Sequence, residues 1–331
     1  MNKPRNVWQL IASGLQQRIP VMLLYVLESK GSSPGRQGFC MAVTANGDMA
    51  GSVGGGIMEH KFVEMVKEQL RHNAPETTVR KQMHNKTAPK NQSGMICSGE
   101  QTILLYRVQD DDAVTIDRII HSLDRHRNGL LRLSPAGIQF EDAPPANDFT
   151  FHMQSEDDWL YEERTGFKNR LYIIGGGHCS LALSELMYKM DFYVHVFDDR
   201  NSLHTLSQNE CTHQKTIVDS YDTLHELVPD GDHHYVIIMT FGYRTDDIAL
   251  RALWEKQFRY LAVMGSQHKI AEMFNSYKQE GISQERLRNI HAPAGIAIKS
   301  QTPEEIAVSI AAEIIREKNI EPKNKEQGMP K

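Results

Sequence analysis

The sequence predicts an α/β protein in two domains, the second built on a parallel sheet wrapped by helices. Strand-like and helix-like patterns alternate from residue 170 onward, and that alternation implies a parallel sheet with helices on both faces. Two glycine-rich loops, Gly51-Ser-Val-Gly-Gly-Gly56 and Gly175-Gly-Gly177, each stand just before a helical pattern. The length, 331 residues, suits two domains better than one.

The elements follow in order. Residues 5–17 read as a helix with Val7, Trp8, Leu10, Ile11 and Leu15 on one side. The apolar run 21–27 reads as a buried strand and is too short to span a bilayer. Segments 39–44 and 48–53 flank Asn46-Gly47, a hairpin signal because both positions tolerate positive φ. A helix is expected over 57–71 and a strand over 101–108, closing a first α/β domain at residues 1–112. Residues 113–168 are expected as a connector: a helix near 113–126, a weak hairpin, Pro144-Pro145 and the acidic stretch Glu156-Asp-Asp158. The second domain, 169–318, opens with a strand before Gly175 and continues with strands at 194–198, 214–218, 235–239 and 260–264. Its last helix is marked by Thr302-Pro-Glu-Glu305, a capping box with proline at the first helical position. Ile306, Ile310 and Ile314 then form a core face. The polar, aperiodic residues 319–331 are expected to be a disordered tail.

Composition narrows the function classes. Apolar residues at 40% and charged residues at 24% suit a soluble globular protein. A net charge of -5 argues against a nucleic-acid partner, whose phosphates need a basic surface. The 15 histidines are scattered, so no metal site is expected. Neither a signal peptide nor a membrane segment is read. The 4 cysteines, Cys40, Cys97, Cys179 and Cys211, make no disulfide framework, and a reducing cytoplasmic setting is the default.

The two loops carry the chemistry. In the second, Gly175 permits a tight turn, and Gly177 lets backbone approach a pyrophosphate at the helix N-terminus. Ser180 takes the place of the third small residue, and Asp198 stands where an acid binds ribose hydroxyls. This is a Rossmann-type pattern. His178 would lie near the pyrophosphate or face solvent; Arg200 would join the nucleotide site, or Asp199 and Arg200 would be surface residues after the strand with an internal ion pair. In the first loop, Gly54, Gly55 and Gly56 before a helix can cradle a phosphate, or serve only as a tight turn. Arg36, in the irregular turn Gly31-Ser-Ser-Pro-Gly-Arg36, could add charge there. Glu59 either favours the helix dipole or accepts hydrogen bonds from a ligand amino group. Cys97 lies in the loop Ser93-Gly-Met-Ile-Cys-Ser-Gly99 and is the best candidate for sulfur chemistry. Cys179 reads as packing.

Taken in order, these segments resemble the xanthine dehydrogenase accessory factor family (XdhC/CoxI). The likeness rests on Gly31-Ser-Ser-Pro34, Gly38 and Met41, Gly51 to Gly56 with Glu59, and Cys97-Ser-Gly99. It continues with Gly175 to His178, Asp198-Asp-Arg200, Thr240 to Asp246, Gly265-Ser266 with Lys269, and Ile290-His-Ala-Pro293 with Gly295. Thr302 to Ala307, Ser309-Ile310 and Ala312-Glu313 complete it.

The resemblance implies an accessory protein that binds the molybdenum cofactor, a molybdopterin, and supports its sulfuration and insertion into xanthine dehydrogenase in purine catabolism. Cys97, Arg36, Gly54, Gly55, Gly56 and Glu59 would hold that cofactor. Gly175, Gly177, His178, Asp198 and Arg200 would hold NAD(P) or another nucleotide. The implied fold is an N-terminal XdhC/CoxI-type α/β domain and a C-terminal Rossmann-like domain, in a homodimer. The implied partners are the molybdenum hydroxylase and a cysteine desulfurase.

Some positions depart from the family pattern. Gly35 stands where arginine is frequent, Ile57 where cysteine is frequent, and Ser98 where glycine follows the cysteine. Phe241 replaces a histidine, and Ala297 removes a carboxylate. Two other functions compete: an NAD(P)-dependent oxidoreductase, and a structural subunit of the xanthine dehydrogenase complex. Xanthine oxidation by this chain alone is not expected, because it has no iron–sulfur cysteine pattern.

Overall fold

A computed structural model of the chain describes residues 3–72, 77–83 and 99–320. The chain divides into two compact units that meet in sequence between Lys168 and Asn169.

The N-terminal unit runs α1 (Lys3–Gln17), β1 (Val21–Lys30), β2 (Cys40–Thr44), β3 (Met49–Gly51), α2 (Gly56–Arg71), β4 (Thr78–Met83) and β5 (Glu100–Arg107). It continues through α3 (Ala113–Asp124), β6 (Leu130–Ser134), β7 (Gly137–Glu141), β8 (Phe149–Ser155) and β9 (Asp158–Arg164). Its first sheet has the order β3-β2-β1-β5-β4, antiparallel throughout. The hairpin expected at Asn46-Gly47 joins β2 to β3, with Gly47 at φ +92°. β1 is central, which is why its sequence is a continuous apolar run rather than an alternation. Met22, Leu24 and Val26 pack with Met58, Phe62 and Val66 of α2. Leu23, Tyr25 and Leu27 belong to a second cluster with Trp8 of α1, Ile116 and Ile119 of α3, and Leu131, Phe140 and Tyr161.

That second cluster corrects the expectation of a connector over 113–168. The stretch is α3 and a four-stranded sheet, β7-β6-β9-β8, inside the same unit as β1. That face of the first sheet is covered partly by α1, through Val7, Trp8 and Ile11, and partly by this stretch, through Ile116, Ile119, Leu131 and Phe140.

The C-terminal unit runs β10 (Asn169–Ile174), α4 (His178–Lys189), β11 (Phe192–Asp198), α5 (His204–Gln208), β12 (Gln214–Ile217), α6 (Leu224–Leu227) and β13 (Gly231–Ile238). α7 (Tyr243–Leu253), β14 (Phe258–Val263), α8 (Gln267–Gln279), α9 (Gln284–Arg288) and α10 (Pro303–Asn319) complete it. The sheet is parallel with the order β12-β11-β10-β13-β14. The chain therefore starts at β10, moves one way to β12, then returns to the other side of β10. The switch point lies between the C-terminal ends of β10 and β13, where open parallel sheets bind ligands. Tyr172, Ile174, Val236 and Ile238 face α7 and α8. Leu171, Ile173, Val194 and Ile237 face α4 and α10. The capping box of α10 forms as read: Thr302 Oγ1 accepts from Glu305 N at 3.2 Å, and Glu305 Oε2 accepts from Thr302 N at 3.3 Å. Helix α10 continues to Asn319; the rest of the expected tail, 321–331, lies outside the described residues.

Candidate functional site

Each unit presents its glycine loop at the N-terminus of a helix. In the N-terminal unit, Gly51, Gly54, Gly55 and Gly56 all have positive φ between strand β3 and helix α2. Two of the glycines in this region are also required by crowding. A Cβ on Gly54 would lie 2.4 Å from Gly35 N, and one on Gly35 would lie 2.0 Å from Val53 O. The loops 31–36 and 51–56 thus touch backbone to backbone. Buried Gln101 of β5 locks the pair, donating from Nε2 to Gly35 O at 2.7 Å. A Cβ on Gly99 would sit 2.6 Å from the Ser32 carbonyl carbon, so the chain entering β5 joins the same cluster. Cys97, two residues upstream, lies outside the described residues. Exposed Arg36 folds onto its own loop, donating to Gly31 O at 3.2 Å. Gly55 is open: a Cβ there meets nothing within 4 Å.

Glu59 fills a role that its position alone does not disclose. Its Oε2 accepts from Ser52 Oγ at 2.6 Å, Val53 N at 2.9 Å and Gly55 N at 3.0 Å. Partial burial pushes its carboxyl up, but the hydrogen bonds from Ser52 and from the backbone of Gly55, Val53 and Gly54 outweigh burial and hold it below the usual range. The glycine turn is therefore an anion-holding nest, and the anion it holds is the protein's own carboxylate.

In the C-terminal unit, Gly175 takes φ +111°, and a Cβ there would lie 2.4 Å from Met239 O, just past β13. Only glycine lets the turn pass under that carbonyl. Gly177 faces open space, and His178, the first helical residue, is exposed. Asp198 differs from its expected role. It is fully buried, and its carboxylate turns into the loop rather than outward to a ribose. Gly176 N donates to Oδ2 at 2.6 Å, and Arg200 donates from N and Nε to Oδ1 and from Nη2 to Oδ2. Burial pushes the Asp198 carboxyl up; the Arg200 fork and the Gly176 N–H outweigh it and hold the acid below its ordinary range. The guanidinium fork of Arg200 thus goes to Asp198, while Asp199, the acid expected to pair with it, stands 3.7 Å from Nε.

Other polar groups near this end of the sheet are not evident from spacing. Buried Asp246 of α7 accepts from Thr240 N at 2.9 Å and Thr240 Oγ1 at 2.6 Å, and it pairs with Lys269 of α8. This triad ties the loop after β13 to two helices. Beside it Phe241 is 90% exposed. Cys40 is buried in β2, and its surroundings push the thiol far up, so it is a packing residue without thiolate reactivity. Cys179 packs at the edge of the α4 core, as read from the sequence. Among the described residues no three histidine, cysteine or acidic side chains come together as a metal site, and no helix is long and apolar enough to cross a membrane.

Comparison with known proteins agrees with this division. A family model for the XdhC and CoxI family matches residues 15–81, and one for the XdhC Rossmann domain matches residues 171–314. An uncharacterized protein of Escherichia coli K12, YqeB, is 24% identical over 323 residues, covering 96% of this chain and 47% of the relative. A protein of Bacillus subtilis 168 described as a probable subunit of xanthine dehydrogenase is 25% identical over 169 residues, 50% of this chain and 49% of the relative. The matches thus span about half the length of these two relatives. The crystal structure of a xanthine dehydrogenase from Bacillus halodurans superposes with a TM-score of 0.70 at 20% identity, covering 97% of this chain and 98% of that one, which establishes a common fold. With the two family models matched in order on the two units, the chain belongs to the XdhC and CoxI family.

Proposed function

We propose that this protein is an accessory factor of xanthine dehydrogenase that binds the molybdenum cofactor and supports its sulfuration and insertion during purine catabolism. One observation carries the reading: the turn 52–56 already grips a carboxylate through a hydroxyl and backbone N–H groups. When bound, the cofactor supplies a phosphate at one end and a soft, sulfur-bearing molybdenum at the other. Donors aimed at an anion suit the first end, and a loop thiol suits the second. Gly54, Gly55 and Gly56 would hold the phosphate with Arg36 beside them, and Cys97 would meet the metal end. Glu59 positions the turn in the ligand-free protein. The C-terminal glycine loop would hold a nucleotide, NAD(P) being the first to test. The reading brings with it a molybdenum hydroxylase and a cysteine desulfurase as partners, a homodimer and a cytoplasmic setting.

The test is anaerobic gel filtration of the protein mixed with molybdenum cofactor, with pterin and molybdenum measured in the protein peak. Co-elution is expected for the wild type. Loss of molybdenum retention and of hydroxylase activation is expected for Cys97→Ala, with folding unchanged. Full activation by Cys97→Ala would remove the assigned role of the thiol, and absence of pterin from the wild-type peak would remove the cofactor reading.

A further inference from the structure

A single exposed aromatic residue ordinarily needs no explanation. Phe241 is distinguished by its place. It follows β13, and Arg200 follows β11; these strands flank β10 on its two sides. Side chains from beyond their ends can meet only over the end of β10, where the 175–177 loop turns. They do meet: the Arg200 guanidinium carbon lies 5.8 Å from the Phe241 ring centroid, within cation–π range. The two side chains thus arch over the glycine loop at the switch point of the sheet, and the ring remains 90% exposed.

The hydrogen-bond inventory under this arch decides what it can recognise. A carboxylate offers roughly four lone-pair positions. Those of Asp198 are taken by Gly176 N, Arg200 N, Arg200 Nε and Arg200 Nη2. No acceptor capacity is left for a ribose diol, the contact by which an acid here favours an unphosphorylated ribose. Arg200 has spent only one edge of its guanidinium on Asp198; its side chain is 37% exposed, and its remaining N–H donors suit a phosphate. The Asp199 carboxylate, 3.7 Å from Arg200 Nε, opposes an anion and keeps that preference modest.

We propose that the crevice at the end of β10 takes a dinucleotide of the NADP type, with Phe241 as the stacking platform for its planar base and the free edge of Arg200 as the contact for its ribose phosphate. The proposal rests on the nucleotide reading of the C-terminal loop and deepens it.

Calorimetric titration of the full chain with NADP+ and NAD+ tests it. The wild type binds NADP+ about tenfold more tightly than NAD+. Phe241→Ala, at a position that packs against little, weakens both by about tenfold and leaves their ratio unchanged, while Phe241→Trp restores them. Arg200→Lys keeps a cation on the buried Asp198 but loses the planar fork, so the ratio falls towards one. Equal wild-type affinities would overturn the phosphate contact, and unchanged binding by Phe241→Ala would overturn the platform; both leave the nucleotide reading standing. Absence of binding by either dinucleotide would overturn the inference together with that reading.

Discussion

Glu313 shows how much a single residue can contribute out of sight of the loops. It sits on α10 with 8% of its side chain exposed. Its Oε2 accepts from Tyr260 at 2.8 Å and from Gly295 N at 2.7 Å; its Oε1 faces Arg316 Nη2 at 3.1 Å and His291 Nδ1 at 3.5 Å. Burial pushes its carboxyl up, but the hydrogen bonds from His291, Gly295 and Tyr260 outweigh burial and hold it at about 2. The folded pKa is thus below the ordinary value of 4.5, so the stabilisation is complete above pH 4.5 and is lost as pH falls toward 2. A gap of this size is worth about 3 kcal/mol at full strength. Urea unfolding from pH 3 to pH 7 is expected to show wild-type stability rising with pH, and Glu313→Gln losing much of that rise along with about 2–3 kcal/mol at neutral pH. Parallel curves for the two proteins would refute the assignment. The sequence marks Ile306, Ile310 and Ile314 as a core face but gives no sign that a carboxylate beside them is buried, because Glu313 finds its partners on β14 and on the loop 291–295, far away in the chain.

At the scale of elements, the loops were legible and their grip was not. Glycine clusters before helical patterns place both turns, because positive φ and close backbone approach at Gly54 and Gly175 leave few alternatives. The direction of the neighbouring acids is a different matter. Asp198 reads from sequence as a group offered to a ligand, and Glu59 as either that or a partner of the helix dipole; both turn inward onto the N–H groups of their own loops. Spacing gives the proximity of an acid to a loop; which oxygen meets which donor depends on how the strand before it and the helix after it are set. Glu59 is therefore expected to be part of the folding of the β3–α2 turn. Glu59→Ala strands the donors of Ser52, Val53 and Gly55 at a half-buried site and should lower stability by about 1–2 kcal/mol. Glu59→Gln retains an acceptor and should lose less. Denaturation midpoints of the three proteins measure this, and an Ala variant as stable as the wild type would show that water replaces the carboxylate without loss.

At the scale of the molecule, the error over 113–168 has a physical cause that also yields a prediction. Strand β9 alternates as a half-buried strand should, with Trp159, Tyr161 and Glu163 inward, but the third inward residue is charged. A carboxylate in the buried row breaks the period-two pattern that sequence reading depends on. Its partners explain why it is tolerated: Glu163 accepts from Tyr25 at 2.5 Å and Tyr161 at 2.8 Å, and pairs with Lys168 at 2.9 Å. Tyr25 lies on β1, so this acid joins the second sheet of the unit to the first across more than a hundred residues of chain. The same interface buries Ile116, Ile119, Leu131, Leu133 and Phe140 with Leu23, Tyr25 and Leu104. At about 2 kcal/mol for each buried apolar side chain, removing residues 113–168 would forfeit about 10 kcal/mol, as much as a whole domain of this size has to spare. A fragment of residues 2–168 is therefore expected to unfold cooperatively in urea, whereas one of residues 2–112 should bind a hydrophobic dye, lose near-ultraviolet dichroism and melt without a transition. Cooperative unfolding of the shorter fragment would mean that the first sheet stands on α1 and α2 alone, and that the stretch after it is the connector its sequence suggests.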